Sequence, residues 1–210
     1  MKSFLISEMK AGSIYHLMIS AVVPRPIAWV STISPEGKGN LAPFSYFNAV
    51  SSDPATLVFS CAIKPDGNPK DTLINILKTK QFVVNVANVD LLAQVNQTSA
   101  EYPYGVNELE KVGLTPVAST LVKPSRVKEA PVQIECELYD TLKVGEGQPG
   151  SSTLVVGKIL AIHVDPKILD PKDPKGMSID EIALNPLTRL GGQKYGTLGK
   201  VIESQRPGKP

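Results

Sequence analysis

The residues with the clearest chemical potential lie between positions 24 and 75. This segment holds a basic residue, Arg25, a hydroxyl pair, Ser31–Thr32, and a loop from Pro43 to Ser52 that is rich in serine, asparagine and aromatic residues. At Lys70–Thr72 we predict the start of a helix. The free N–H groups there, with a nearby lysine or arginine, suit a phosphate. The aromatic loop offers the apolar wall and edge hydrogen bonds that a flat ring needs. The segment therefore predicts a site for a phosphorylated aromatic cofactor.

A purely structural interpretation of the same residues stays open. They can form a β-turn, a helix and scattered core aromatics with no ligand. Asp71 suits the N-cap of the predicted helix. Leu73, Ile76 and Leu77 follow it at the spacing of one buried helix face.

Other motifs in the chain argue against several common activities. Gly145–Gly150 matches the GxGxxG pattern, but a β-branched run follows where a dinucleotide-binding loop must open a helix. We therefore predict a hairpin turn there. Neither His16 nor His163 has companions for a metal site, so we predict a surface residue and a structural histidine, respectively, and no metal. The GxSxG, HExxH and P-loop patterns are absent from the sequence.

The elements that must position the predicted site are short strands. An alternating pattern at 132–139 predicts a strand with one wet face. Turn-forming residues separate the segments. The predicted strands are 22–33, 55–63, 81–87, 132–139 and 153–164, and the predicted helices begin at 71 or span 90–97, 107–112 and 179–183. Short strands with few helices predict a mainly β protein, an antiparallel barrel with helical decorations.

Composition narrows the class of protein further. The chain has 210 residues, and 22 basic against 20 acidic side chains leave a charge of +2, so we expect no nucleic-acid or membrane-surface partner. No apolar run approaches the length of a membrane span. Cys61 and Cys136 are predicted to be buried hydrophobes, and without a signal peptide we expect a cytoplasmic protein. We predict one domain over 1–210, with a core at about 10–200 and a frayed tail at 204–210.

Several short motifs, in order along the chain, resemble the flavin reductase-like family of FMN-binding split barrels, nearest its flavoredoxin-like members. The resemblance covers roughly residues 10 to 200. Its motifs are Arg25–Thr32, Asn40–Asn48, Ser51–Pro54, Lys70–Thr72 with Asn75, Phe82–Asn85, Gly157, His163–Val164 and Arg189–Gly192 with Tyr195.

The resemblance implies a Greek-key split barrel that forms a homodimer and binds FMN near the subunit interface. It implies that Arg25, Lys70 and Thr72 lie at the phosphate end, and that the Ser45–Asn48 loop runs along the flavin. Tyr195 is expected to cover the ring. The full set of cofactor-binding residues so predicted is Arg25, Ser31, Thr32, Ser45, Tyr46, Phe47, Asn48, Ser51, Ser60, Cys61, Ala62, Lys70, Asp71, Thr72 and Tyr195.

These expectations lead to a functional hypothesis with open alternatives. We predict an FMN-dependent oxidoreductase in which NAD(P)H gives a hydride to the flavin, which passes electrons to an acceptor. The cofactor would carry the chemistry, and no residue is assigned a catalytic role. An FMN electron carrier reduced by a redox protein, a non-catalytic flavin-binding protein and a dimeric scaffold with an empty site remain alternatives. We expect segments 101–111 and 166–185 to select the substrate.

Overall fold

A computed structural model describes residues 1–205 and 207 of the chain. Residues 206 and 208–210 lie outside this range, so the frayed tail stays a prediction. The helices are α1 (Ala11–Ala21), α2 (Asp71–Thr79), α3 (Leu92–Gln97), α4 (Glu108–Lys111) and α5 (Glu181–Leu184), with 3-10 turns at Ile6–Glu8, Val89–Leu91 and Pro166–Ile168. The strands are β1 (Arg25–Pro26), β2 (Ala28–Ile33), β3 (Gly39–Phe44), β4 (Phe47–Ser52), β5 (Ala55–Ala62), β6 (Gln81–Val86), β7 (Pro116–Val117), β8 (Arg126–Val127), β9 (Val132–Val144), β10 (Ser152–Val164), β11 (Thr188–Arg189) and β12 (Tyr195–Gly196).

Seven of these strands form one antiparallel sheet in the order β3-β2-β6-β9-β10-β5-β4. β3 and β4 stand at opposite ends of this order, yet only Ser45 and Tyr46 separate them along the chain. Two residues cannot span a flat sheet of seven strands, so the sheet must curl on itself. The prediction of a mainly β, Greek-key split barrel with a few short helices is confirmed.

The barrel strands bury side chains on both faces. On β2, Val30 belongs to the cluster inside the barrel, whereas its neighbour Trp29 belongs to a second cluster on the outer face. Inside, the ring of Phe59 lies 5.0 Å from that of Phe44 and 5.6 Å from that of Phe82, between ring centroids. The outer cluster brings the loops that follow β6 against the sheet, and this places them over one end of the barrel.

The paired strands β9 and β10 confirm two predictions. Ser152 pairs with Val144, so Gly145–Gly150 is a hairpin turn and opens no helix. His163 is a structural histidine, because its Nε2 lies 2.8 Å from Oε1 of the fully buried Glu135. His16 is exposed, as predicted.

Glu135 lies on the face of β9 that the alternating pattern predicts to be wet, and that prediction is wrong at this residue, because Glu135 is fully buried. It is nevertheless held as an anion. Burial acts to raise its pKa, but hydrogen bonds from the amides of Thr120 and Leu121, at 2.7 and 2.6 Å, and the contact with His163 outweigh that effect. The net result is a pKa below the usual value. Glu135 thereby fastens the loop that contains Thr120 to β9.

Two sequence predictions need correction. The predicted loop from Pro43 to Ser52 is in fact the end of β3, a turn and the strand β4. β4 is an edge strand on which residues 48–52 are all exposed, so it lacks the apolar alternation that predicts a strand. The helix α1 was not predicted, although Ile14, Leu17 and Met18 recur at helical spacing, and in the structure it buries only Ile19.

Both cysteines lie in the barrel interior, as predicted. Burial raises the pKa of Cys61 to about 12 and also raises that of Cys136. Both therefore remain neutral thiols that pack as small hydrophobes. Within the described residues, no helix combines the length and the hydropathy that a membrane crossing requires.

Candidate functional site

A pocket of about 220 Å³ opens where α2 begins, and we call it the polar pocket. It is bounded by the middle of β3, the loop before α2 and the segment that follows α3. Its lining residues are Asn40, Ala42, Pro43, Lys64, Lys70, Asp71, Thr72, Thr98, Ser99, Ala100, Glu101, Tyr102 and Glu108. Three of the predicted site residues, Lys70, Asp71 and Thr72, therefore line one cavity.

The start of α2 brings backbone N–H groups and Lys70 to this pocket. Lys70 occupies the N-cap position, and no side chain caps the first turn of the helix. The N-cap role predicted for Asp71 is wrong. Asp71 is the first helical residue, and its Oδ1 accepts a hydrogen bond of 2.8 Å from Lys64 Nζ. The Asp71 carboxylate is thus paired with a lysine and does not accept hydrogen bonds from the first-turn N–H groups.

A buried network of amides and hydroxyls forms the floor of the polar pocket. Asn40 Nδ2 donates to Thr32 Oγ1 at 3.2 Å and to Thr72 Oγ1 at 3.0 Å, and Asn75 Nδ2 donates to Thr32 Oγ1 at 3.1 Å. All four residues are buried. An amide nitrogen has two hydrogens, and Asn40 uses both in this network. The network thus fixes Thr72 at the start of α2 and keeps Thr32 beneath the pocket as a support.

The segment from Thr98 to Glu108 forms a roof, held to the barrel at three points. Trp29 Nε1 donates to Thr98 Oγ1 at 2.9 Å, and the hydroxyl of the exposed Tyr104 donates to Asn75 Oδ1 at 3.2 Å. The third point is Glu108, whose Oε2 accepts from the amide of Leu41 at 2.8 Å. Burial raises the pKa of this carboxyl.

A second pocket, of about 400 Å³, lies beside α1 and β4, and we call it the apolar pocket. Its lining is mostly hydrocarbon and aromatic surface, edged by Ser45 and Asn48. The lining residues are Met18, Val22, Pro24, Arg25, Pro26, Ser45, Tyr46, Phe47 and Asn48. The whole predicted Ser45–Asn48 segment thus lines one cavity, together with an aromatic wall.

Arg25 lines the apolar pocket, and its guanidinium group is hydrogen-bonded to backbone carbonyls. Its Nη1 donates to the carbonyls of Ile19 at 2.6 Å and Val22 at 2.7 Å, and its Nη2 donates to that of Leu190 at 3.0 Å. Only 4% of the residue is exposed. Its guanidinium carbon also lies 6.0 Å from the ring centroid of Tyr46. The two cations predicted for a phosphate therefore line different pockets, and Arg25 ties α1 to the C-terminal segment.

The two pockets adjoin along the chain. Pro43 lines the polar pocket and Ser45 lines the apolar pocket, so at most about 7 Å of backbone separates their walls. Binding groups for an anion and for a flat apolar ring therefore lie close together along the chain.

The remaining predicted site residues are dispersed. The hydroxyl of Ser31 donates to the carbonyl of Ser125 and accepts from the side-chain amide of Asn85, so it has a structural role. Ser51 is exposed and bonds to Asp53 within a turn. Residues 60–62 lie on β5, where Ser60 donates its amide to Tyr46, Cys61 is buried and Ala62 is exposed.

Tyr195 lines a third pocket with Asn96 and Arg189. Its hydroxyl lies 3.3 Å from Asn96 Oδ1, and the guanidinium carbon of Arg189 lies 4.5 Å from its ring centroid. These contacts fasten the C-terminal segment to α3.

Sequence reasoning missed several residues that line the two pockets. The sequence predicts no role for Asn40, which lies in one of the family motifs, or for Lys64. The roof residues Glu101, Tyr102 and Glu108 fall in the segment predicted to select the substrate. Met18 and Val22 belong to the unpredicted helix α1 or its end. A buried glutamate on a four-residue helix leaves no periodic signal that could have identified it.

Comparison with known proteins places this geometry in a family. Residues 19–181 match the family model described as flavin reductase like domain. The chain is 41% identical to an uncharacterized protein of Aquifex aeolicus, over 91% of this chain and 93% of that protein.

Solved structures extend the similarity. Nitrilotriacetate monooxygenase component B from Bacillus cereus is 32% identical, with a TM-score of 0.90 over 97% of this chain and 98% of its own. Flavoredoxin of Desulfovibrio vulgaris (Miyazaki F), at 18% identity, shares the fold with a TM-score of 0.75 over 97% of each chain. The chain belongs to the flavin reductase-like family.

Proposed function

We propose that the protein binds FMN across the polar and apolar pockets and serves as an oxidoreductase that takes electrons from NAD(P)H and passes them to an acceptor. The observation that carries this proposal is the adjacency of the two pockets. An uncapped helix start with a lysine lies on one side of Pro43, and an aromatic wall lies on the other.

The polar pocket suits the phosphate of FMN. The first-turn N–H groups of α2 and the Nζ of Lys70 are donors, and the hydroxyl of Thr72 is held in place by Asn40. Lys64 is engaged with Asp71, so Lys70 is the cation that we assign to the phosphate. A helix start combined with one lysine is a common way to hold a dianion.

The apolar pocket suits the ring system. Tyr46 and Phe47 would pack against it, and the backbone from Ser45 to Asn48 would supply edge hydrogen bonds. FMN, when bound, carries the hydride and electron transfer itself, so the protein needs to bind and orient it and to exclude water. This agrees with pockets that hold binding groups and no nucleophile with an adjacent base.

The size of the polar pocket favours FMN over a dinucleotide. Its volume is about 220 Å³, and Glu108 and the roof residues Ser99 to Tyr102 line it beyond the start of α2. A pocket of this size suits a terminal phosphate, whereas the adenosine half of FAD would have to extend out of it past the exposed roof residues.

The source of electrons distinguishes the proposal from its main alternative. Whole-length similarity at 32% identity to a component of a monooxygenase favours a reductase that supplies electrons to a partner enzyme or acceptor. An electron carrier reduced by a redox protein is the second candidate, because the flavoredoxin fold is shared.

We also propose that the working unit is a cytoplasmic homodimer. The strand β4 has an open edge, and its Val50 is 59% exposed. Beside the apolar pocket, Met18 and Val22 are exposed as well. Open strand edges and clustered apolar side chains are surfaces that a second chain can cover.

The experiment is an anaerobic titration of the purified full chain. We expect a flavin absorption spectrum on purification or after addition of FMN, and bleaching of that spectrum by NADH or NADPH. Bound FMN that neither nucleotide reduces, but that a reduced ferredoxin bleaches, would replace the reductase with the electron carrier. Failure to bind FMN would refute the proposal as a whole.

A further inference from the structure

Glu108 is a carboxyl group with no assigned role inside the polar pocket. Only 6% of the residue is exposed, and Oε2 accepts the amide hydrogen of Leu41 at 2.8 Å. The residue nevertheless lines the pocket. A carboxylate is an unexpected neighbour for a phosphate, because two anions repel each other strongly where water is scarce.

The basic side chains around Glu108 do not neutralise both its carboxylate and a bound phosphate. Lys64 lies 2.8 Å from Asp71 and forms an ion pair with it. In the part of the chain that the structure describes, Lys70 forms no ion pair, so it is the one lysine of this pocket left to neutralise a phosphate. The strand β3, which packs against α4, contributes no titratable side chain. The titratable groups that line the pocket with Glu108 are Lys64, Lys70, Asp71, Glu101 and Tyr102.

We propose that Glu108 couples ligand binding to a proton: its carboxyl takes up one proton from solvent when a phosphate group enters the polar pocket. The inference rests on the proposed phosphate site but concerns a residue that the flavin chemistry does not need. A protonated carboxyl no longer repels the phosphate, and its O–H can donate a hydrogen bond to a phosphate oxygen or a neighbouring hydroxyl.

The surroundings of Glu108 make its carboxyl easier to protonate than a free glutamate before a ligand binds. Burial raises the pKa of Glu108, and the nearby Asp71 raises it further, while the Leu41 amide and Lys64 act in the opposite direction. A phosphate is a dianion above its second pKa of about 6, so its arrival must raise the pKa of the carboxyl again.

The consequence is a ligand affinity that depends on pH in an unusual direction. Phosphate ionisation by itself strengthens binding as the pH rises. Proton uptake by Glu108 weakens binding as the pH rises, over the pH range in which its carboxyl is ionised in the free protein and protonated in the complex. Glu108 would thus favour retention of the phosphorylated ligand at lower pH and its release at higher pH.

The test is titration calorimetry of the full chain at a series of pH values from 5 to 9, each in two buffers with different ionisation enthalpies, with FMN and inorganic phosphate as separate probes. We expect the wild type to take up as much as one proton per site more than Glu108→Gln over part of this range. Over that part, the ratio of the wild-type Kd for FMN to that of Glu108→Gln should rise with pH by up to about tenfold per pH unit, the limit for one linked proton. The absence of such a difference at every pH would overturn the inference.

Two variants test whether Glu108 is the residue that takes up the proton on ligand binding. Glu108→Gln keeps an oxygen for the Leu41 amide but cannot ionise, so only the ionisation of the phosphate itself should remain in the pH dependence of its proton exchange and its Kd. Glu110→Gln alters an exposed carboxyl on the same helix and should behave as the wild type. A thermal melt checks that each variant is folded.

The outcomes separate the two proposals. FMN binding with equal proton uptake in the wild type and Glu108→Gln overturns this inference and leaves the proposed function standing. Phosphate binding with uptake that depends on Glu108, but no FMN binding, supports the inference and refutes the flavin. If neither probe binds, both are refuted.

Discussion

The assignment of Lys70 to the phosphate can be separated from that of Arg25 by two substitutions. The sequence predicted both cations at the phosphate end. Lys70 lines the polar pocket at the start of α2, whereas the Arg25 guanidinium is used by three backbone carbonyls beside the apolar pocket. We expect Lys70→Ala to reduce the preference for FMN over riboflavin, and Arg25→Ala to reduce stability.

The magnitudes follow from the two environments. A hydrogen bond to a charged group contributes about 1.5–3 kcal/mol. Because Lys70 is half-buried and salt screens its charge, we take the lower part of that range. A loss of about 1.5–2 kcal/mol corresponds to FMN affinity weakened about ten- to thirtyfold. Arg25→Ala leaves buried carbonyls without partners and should cost about 1–3 kcal/mol, or a fall in Tm of about 2–12 °C.

The assay is the ratio of the Kd values for riboflavin and FMN, measured by flavin fluorescence at a temperature where each variant is folded. Riboflavin lacks the phosphate, so Lys70→Ala should change the FMN value alone. Lys78→Ala, an exposed lysine near the end of the same helix, is the matched control. A ratio that Lys70→Ala leaves intact, or that Arg25→Ala abolishes, would refute the reasoning and restore Arg25 as the phosphate ligand.

Three further predictions concern stability and the roof. A Cβ at Gly157 would lie 2.3 Å from Cζ of the buried Phe82, so Gly157→Ala should cost about 1–3 kcal/mol of the free energy of unfolding, and an unchanged urea midpoint would contradict the packing. Because the folded pKa of Glu135 is depressed, its stabilisation is present above the unfolded pKa of about 4.3 and is lost as the pH falls through the folded value. Glu135→Gln should flatten the dependence of the free energy of unfolding on pH in the acid range. A dependence equal to that of the wild type would show that another group binds the proton responsible. Tyr104→Phe removes the hydrogen bond to Asn75 and should speed amide hydrogen exchange in residues 98–108, with no change expected in β9 as the internal reference.

Local patterns in the sequence predicted much of the scaffold. The alternation at 132–139, the glycine-rich turn at 145–150 and the spacing of Leu73 and Ile76 are short-range signals, and the structure contains the corresponding strand, hairpin and helix. Edge strand β4 was not predicted, because residues 48–52 are exposed and apolar alternation arises only where one face of a strand is buried. Helix α1 was not predicted although Ile14, Leu17 and Met18 recur at helical spacing.

In the candidate site, too, some features follow from local sequence and others only from the tertiary structure. By itself the sequence determined the fold class, the family motifs and the segments that carry binding groups, because these depend on residue types and near-neighbour spacing. Only the tertiary structure decided which of those groups share a cavity. It separated Arg25 from Lys70, paired Lys64 with Asp71, and brought Asn40 and Glu108 into the polar pocket. Those relations depend on contacts between residues far apart in the sequence, 67 positions for Leu41 and Glu108 and 165 positions for Arg25 and Leu190, and only folding brings such residues together.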